Sequence, residues 1–377
     1  MKFIIGKANL LDNLNKVSRA ITGKASLTAL KGVFIQVAKG QIIMLGSDMD
    51  LSIFARGTCE VIEAGMILVD AKIFIEIIHK LPEGDITIEK TEDNLVKISC
   101  KKSEFRIVRM NETEYPELPK ETNGTEIIMP KEVFGKMIGE VHFAIAQDES
   151  RPILQGILYE IKDSILRLVA LDGYRLALSS NKVNCSNDMS AVIDGKSLIS
   201  ISKLIGSNGQ MKLYLHKNHI EFRLDNIIIY SRLLEGQYIK YESLLPQDKS
   251  KIEVVINRLE FIEAIERSAL IAKSSDTSSN PILKFNILND GILDLLVVNS
   301  KSSMGKVREE ITVEILGTEK ELEIAFNGRY LLEMLKNMNS EKLIMKVNTP
   351  VSPCICHPAD SEDSKYLILP VRLTKDF

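Results

Sequence analysis

Apolar residues along this chain recur at two alternating periods. Residues 3–21 (FIIGKANLLDNLNKVSRAI) begin as a short apolar strand, turn within two residues, and continue with Leu10, Leu11, Leu14, Val17 and Ile21 on one helical stripe. Asp12, Asn13, Lys16 and Arg19 fall opposite, the pattern of an amphipathic helix. The same strand–turn–helix design returns in residues 126–141 and 253–272, where Leu10, Phe134 and Phe261 correspond at offsets of 124 and 127. A second set lies in residues 67–81, 191–205 and 322–338, with Phe74, Leu198 and Leu331 corresponding at offsets of 124 and 133. Its first member sets Ile73, Phe74, Ile77, Ile78 and Leu81 against Lys72, Glu76, His79 and Lys80. Self-similarity at a fixed period predicts three units of roughly 125 residues, each holding two half-units.

Between the helices lie short strand-like runs: 33–37, 42–45, 51–55, 86–89, 96–100 and 105–110 in the first unit, with 211–215, 220–224 and 227–233 among their counterparts in the second. The order is β-α-β-β-β twice per unit, which predicts an α+β fold with two helices on one side of antiparallel sheet. Polar, proline-marked stretches near 119–125 and 246–251 set the expected domains at 1–121, 122–248 and 249–377. Near the middle, residues 166–178 (LRLVALDGYRLAL) read as a hairpin closed by Asp172-Gly173, an Asp-Gly pair between apolar runs.

Composition narrows the function classes. The chain has 377 residues, 45% hydrophobic and 26% charged, with a net charge of −3, so any basic surface is local. No apolar run is long enough to span a membrane, and the N-terminus turns polar too soon for a signal peptide, so a cytoplasmic location is expected. Cys59, Cys100, Cys185, Cys354 and Cys356 do not form a disulfide framework, and alternation places Cys354 and Cys356 as structural thiols on one strand face.

No catalytic set, metal site or cofactor motif emerges. His79, His142, His216, His219 and His357 form no metal-binding motif, and His216 and His219 flank a turn as solvated residues. Asp48, Asp50 and Asp172 read as turn formers. There is no P-loop, dinucleotide fingerprint or nucleophile elbow, so no enzymatic activity and no cofactor are expected.

One repeated feature is not required by folding. The first turn of every predicted helix carries a cation: Lys7, Lys72, Lys131, Lys196, Arg258 and Arg329. A cation there opposes the helix dipole by about 0.3–1 kcal/mol. Either the position is a solvated one inherited by duplication, or it presents six cations to a polyanion, for which duplex DNA is the natural sequence-blind choice. Glutamates share the same polar faces, so such contact is weak and suits sliding.

These residues carry a resemblance. The chain resembles the bacterial DNA polymerase III β subunit, the replicative sliding clamp, over essentially its whole length. The matching stretches include MKFIIGKANLLDNLNKVSRAI, VDAKIFIEIIHKLPEGDITIE, ESRPILQGILYE, LRLVALDGYRLAL, SRLLEGQYIKYESLLP, AFNGRYLLEML and YLILPVRL. The resemblance implies three tandem clamp domains and a head-to-tail homodimeric ring with helices lining the hole. It implies a processivity factor without catalytic residues, which holds duplex DNA topologically. It also implies that the replicative polymerase, the clamp loader and repair proteins dock short linear motifs in an apolar cleft between domains two and three.

By the same resemblance the hairpin walls that cleft with Leu171, Asp172, Gly173, Tyr174, Arg175 and Leu176, joined by Leu154. Ile239 and Leu244 follow from the interdomain segment, then Asn327, Tyr330 and Val351. Leu367, Leu369, Pro370, Val371 and Arg372 complete it from the C-terminal stretch, where Pro370 argues against a fully paired strand. The resemblance places the dimer interface at Leu270 and Ile271 against Ile73 and Phe105 of a second copy. It adds Lys24, alongside Lys72, to the candidate DNA contacts. The sequence departs from the family at Tyr174, Ile239 and Asp194, in the acidic Asp148-Glu149 loop and in the tail 374–377. Two other readings compete: a clamp-derived peptide-binding scaffold that does not encircle DNA, and an enzyme built on Asp48, Asp50 or Asp172.

Overall fold

In a computed structural model, the structure describes residues 1–23, 27–116, 124–246, 249–272, 281–303 and 305–372. Among these, six helices occur: α1 (Lys7–Val17), α2 (Ala71–Lys80), α3 (Lys131–Val141), α4 (Gly195–Ile205), α5 (Arg258–Ala272) and α6 (Gly328–Asn337). Each is preceded by one strand and followed by three, so β-α-β-β-β runs six times, with one extra strand at Glu60–Glu63. The α+β expectation therefore holds down to element order. Leu10, Phe74, Phe134, Leu198, Phe261 and Leu331, the six positions matched by periodicity, are all fully buried. One apolar side chain at the same place in each helix seats it on its sheet.

Contacts divide the chain into two compact units. The first holds Met1–Glu132 with Lys196–Leu233, and the second Val133–Gly195 with Leu234–Phe377. They do not coincide with the three repeats because hydrogen-bonded sheet runs on across repeat junctions. In the first unit, Ile227–Arg232 pairs antiparallel with Leu51–Thr58, Ile229 opposite Ile53, within an eight-stranded sheet. In the second, Arg175–Lys182 pairs with Ser364–Ile368, Leu176 opposite Leu367, within a twelve-stranded sheet. α1 lies against α2 in the first unit and α5 against α6 in the second.

Three local expectations change. Ile73 is 51% exposed and does not belong to the buried stripe of α2, although Phe74 beside it does. α1 stops at Val17 and a 3-10 turn, Ser18–Ala20, intervenes before Ile21. His216 and His219 are not solvated: their rings stack at 4.3 Å, and the His216 side chain is 3% exposed, 3.6 Å from Glu221. His219 opens the strand His219–Leu224 and His216 closes the turn before it, and burial lowers the His219 pKa, helped by its neighbour His216. Cys354 and Cys356 are buried on one strand face as expected, their Sγ atoms 3.8 Å apart. Among the described residues, no helix is long and apolar enough to cross a membrane.

Candidate peptide-docking site

The hairpin at 165–182 is built from its turn outward. Gly173 has φ +94°, which a side chain would resist, so glycine is needed there. Asp172 Oδ1 accepts from the backbone N–H of Tyr174 (2.9 Å) and of Arg175 (3.1 Å) and closes the turn. Its second oxygen accepts from Arg175 Nε at 3.0 Å. The aspartate thus forms the turn, as its sequence position suggests, and also anchors the arginine that follows.

Arg175 is only 6% exposed. Nη2 donates to the carbonyl of Phe143 at 2.6 Å, and Nη1 donates to Glu333 on α6. Its guanidinium lies over the Tyr330 ring, 4.4 Å from the centroid, and over Phe143 at 5.3 Å. It is therefore an internal strut joining the hairpin, the 3-10 turn His142–Ala144 after α3, and α6. Glu333 also accepts from Arg329 Nε at 2.8 Å. Burial alone raises the Glu333 carboxyl, but the hydrogen bonds from Arg329 and Arg175 outweigh it and hold the group below its ordinary value.

Beneath the hairpin is an apolar floor. Leu154, Leu171, Leu176 and Leu367 are buried in one cluster with Leu158, Val169 and Tyr241. The segment 234–245 crosses this face: Leu234 N–H bonds Val192 O (2.8 Å), Tyr238 OH bonds Val169 O (3.2 Å) and Tyr241 OH bonds Glu160 (2.6 Å). Five apolar residues of the expected cleft are exposed: Tyr174 (63%), Ile239 (39%), Leu244 (41%), Val351 (65%) and Leu369 (39%). Tyr174 lies beside Tyr330, ring centroids 6.2 Å apart. The last strand ends at Ile368, and the backbone then leaves the sheet as Pro370 requires. Leu369 N–H bonds Tyr174 O (2.9 Å) and Val371 N–H bonds Ala325 O (2.8 Å). Asn327 has another task, accepting from Arg329 N–H at 3.0 Å to cap α6. Arg372 is exposed.

Sequence reasoning missed Glu333 and Phe143. The signal for Glu333 was present, since it lies one turn after Arg329 on the helix that carries Tyr330. Phe143 contributes a backbone carbonyl, for which side-chain identity gives no sign.

The six first-turn cations divide into two kinds. Lys7 Nζ donates to Leu81 O at the end of α2 (2.7 Å), and Arg258 donates to Leu335 O and Ser340 O at the end of α6 (3.0 and 2.6 Å). Lys131 is 4% exposed and pairs with Asp225. These three tie parts of a unit together, two of them by placing a cation on a helix C-terminus, where the dipole favours it. They are corrected from candidate DNA contacts to structural ties. Lys72, Lys196 and Arg329 are exposed. Lys24 lies outside the described residues. Of the four interface candidates, Ile73, Phe105 and Leu270 are exposed and Ile271 is half-buried. No group of three or more ligands that could hold a metal occurs among the described residues.

Comparison with known proteins agrees with this architecture. Three family models match in order: DNA polymerase III beta subunit, N-terminal domain, over residues 1–119, central domain over 128–240, and C-terminal domain over 242–372. The beta sliding clamp of Bacillus subtilis is 32% identical over 99% of this chain and 100% of its own, and that of Halalkalibacterium halodurans is 30% identical over the same shares. The crystal structure of the Bacillus subtilis clamp superposes with a TM-score of 0.94 at 30% identity, covering 99% of this chain and 100% of that one. A Pseudomonas aeruginosa clamp bound to griselimycin superposes with a TM-score of 0.92 at 26% identity, with the same coverage. Repeat order, element order, sheet topology and full-length similarity lead to one conclusion: the chain belongs to the DNA polymerase III beta subunit family of bacterial sliding clamps.

Proposed function

We propose that two copies of this chain close head-to-tail into a ring around duplex DNA and tether the replicative polymerase there. The observation that supports the tethering role is the exposure of Tyr174, Ile239, Leu244, Val351 and Leu369, five apolar side chains that a monomer would leave in water, together with a closed apolar cluster around Leu171, Leu176 and Leu367 that would floor the cleft. Such a surface fits an extended apolar motif, with the strut of Arg175 fixing its walls. The same cleft serves the polymerase, the clamp loader and repair proteins in turn. The protein supplies position and no chemistry, and it works in the cytoplasm.

Two open sheet edges support the ring. Ser103–Val108 ends its sheet with Phe105 and Val108 exposed, and Ile73 of the same unit is exposed too. Strand Gly305–Gly317 pairs on one side with Ile252–Asn257 only from Glu314 onward, so that 305–313 have no strand partner there among the described residues, and Leu270 is exposed on α5. Two different unpaired edges on one chain suit a heterologous contact that closes on itself. The domains run 1–121, 122–248 and 249–377. Lys72, Lys196 and Arg329 meet phosphate, with Lys24 as a further candidate. At a net charge of −3 the grip is weak, and topology does the holding.

Closed circular duplex loaded with the protein tests the reading. Retention on the circle with rapid loss after linearisation is expected, and equal loss from both forms rules out encirclement.

A further inference from the structure

A second cavity lies beside the cleft in the same unit. It encloses about 500 Å³ and is lined by Leu245, Pro246 and Pro353 together with Lys249, Lys346 and Lys365. Leu245 and Ile355 line it and also pack on the apolar cluster that floors the cleft. Leu245 directly follows the cleft residue Leu244, and Pro353 lies two positions after Val351. The cavity therefore adjoins the apolar cluster that would floor the cleft.

Its chemistry favours an anion. Glu253 and Glu362 are the acids in the lining, so three lysines face two carboxylates. Lys346 approaches Glu253 only to 3.8 Å, and Lys365 meets Glu362 at 3.0 Å with both side chains open to water. Such pairs exchange readily for a better partner. The wall also contains His357, which is 5% exposed. Its Nδ1 lies 2.8 Å from Pro358 O, a carbonyl that can only accept, so Nδ1 carries hydrogen. Nε2 has no protein partner. Nε2 is also closed to solvent, so His357 forms part of the wall and the lysines carry the charge that faces the cavity.

We infer that this cavity is an accessory subsite for a carboxylate side chain of the docked partner segment, an Asp or Glu a few residues outside its apolar motif. The inference rests on the docking reading of the cleft. It gives the protein a means of ranking partners that share one apolar motif, by the charge that flanks it.

The test uses the clamp-motif pentapeptide of the cognate replicative polymerase, extended at either end by a short linker bearing Glu or Gln. Affinity for the full-length protein is measured by titration calorimetry at low and physiological salt. One of the Glu extensions is expected to bind about three- to tenfold tighter than its Gln counterpart. Lys346→Gln should keep the affinity of the bare pentapeptide and lose that gain. Lys284→Gln, a charge control on another sheet region, should keep both. Equal binding of Glu and Gln extensions, with the bare pentapeptide bound, overturns the subsite and leaves the cleft standing. A gain that survives Lys346→Gln overturns it as well. Failure of the bare pentapeptide to bind overturns the docking reading and the subsite together.

Discussion

Arg175 donates from Nη1 to Glu333, a residue 158 positions further along the chain. With Arg329 on the other oxygen, this carboxylate joins the hairpin wall of the cleft to the helix that carries Tyr330. Removing the guanidinium leaves Asp172 and Glu333 short of a partner in a partly buried place. Arg175→Ala should destabilise the second unit by about 2–3 kcal/mol, less than the roughly 3–5 kcal/mol of a fully buried pair because water reaches Glu333. Glu333→Gln should weaken motif-peptide binding about three- to tenfold by loosening the wall. Thermal melting and calorimetry check both, and unchanged peptide affinity in both variants would remove the strut from the account.

Rim and floor of the cleft should separate cleanly. Leu369 is exposed, so Leu369→Asp should leave the melting temperature nearly unchanged and abolish peptide binding. Leu176 is 2% exposed, and Leu176→Asp buries a carboxylate without a partner. It should cost upwards of about 3 kcal/mol and lose binding through unfolding. Equal stability of the two variants would mean the floor is misplaced.

The two kinds of first-turn cation predict opposite phenotypes. Lys7→Ala removes a buried donor from Leu81 O and should lower stability by about 1–3 kcal/mol with little effect on DNA retention. Lys72→Ala and Lys196→Ala should leave melting unchanged, shorten residence on circular duplex and flatten its salt dependence. Residence times measured across a salt series decide it. Loss of retention with Lys7→Ala in a protein of normal stability would return that residue to the DNA face.

Acid should loosen the cleft. Because Glu333 is held below its ordinary value of about 4.5, its ionised form stabilises the fold above that pH. The contribution is lost as pH falls through the lowered value. Motif-peptide affinity should therefore drop steeply below about pH 4.5, and Glu333→Gln should show a shallower fall. Parallel pH profiles for the two proteins would assign the acid effect elsewhere.

Assembly has its own pair of variants. Leu270→Asp and Phe105→Asp place a charge on exposed apolar side chains, so neither should unfold the chain. Both should shift the mass seen by light scattering from dimer to monomer and abolish retention on circular DNA. A dimer that persists in both would put the interface on another surface.

The sequence by itself determined the repeat. Spacing of apolar residues fixed six helices, the strand runs between them and the six positions that seat each helix, because a period of 3.6 or 2 records which side of an element is covered. It also fixed the hairpin, since Asp-Gly supplies both the side-chain acceptor and the positive φ that the turn needs. Resemblance carried the rim of the cleft, where exposed apolar residues have no folding role to confuse them. Only the tertiary structure decided what the polar side chains meet. Lys7 and Lys72 both lie in a first turn, as the first and second residue of their helices, yet one bonds a carbonyl 74 residues away and the other faces solvent. Arg175 reads as a cleft residue, and only the fold brings Asp172, Phe143 and Glu333 around it. His216 and His219 read as solvated flanks of a turn; the turn is there, but their rings stack over it. The reason is physical: burial of apolar surface is non-directional and leaves a periodic trace, whereas a hydrogen bond is directional and short, and its partner is set by how distant segments pack.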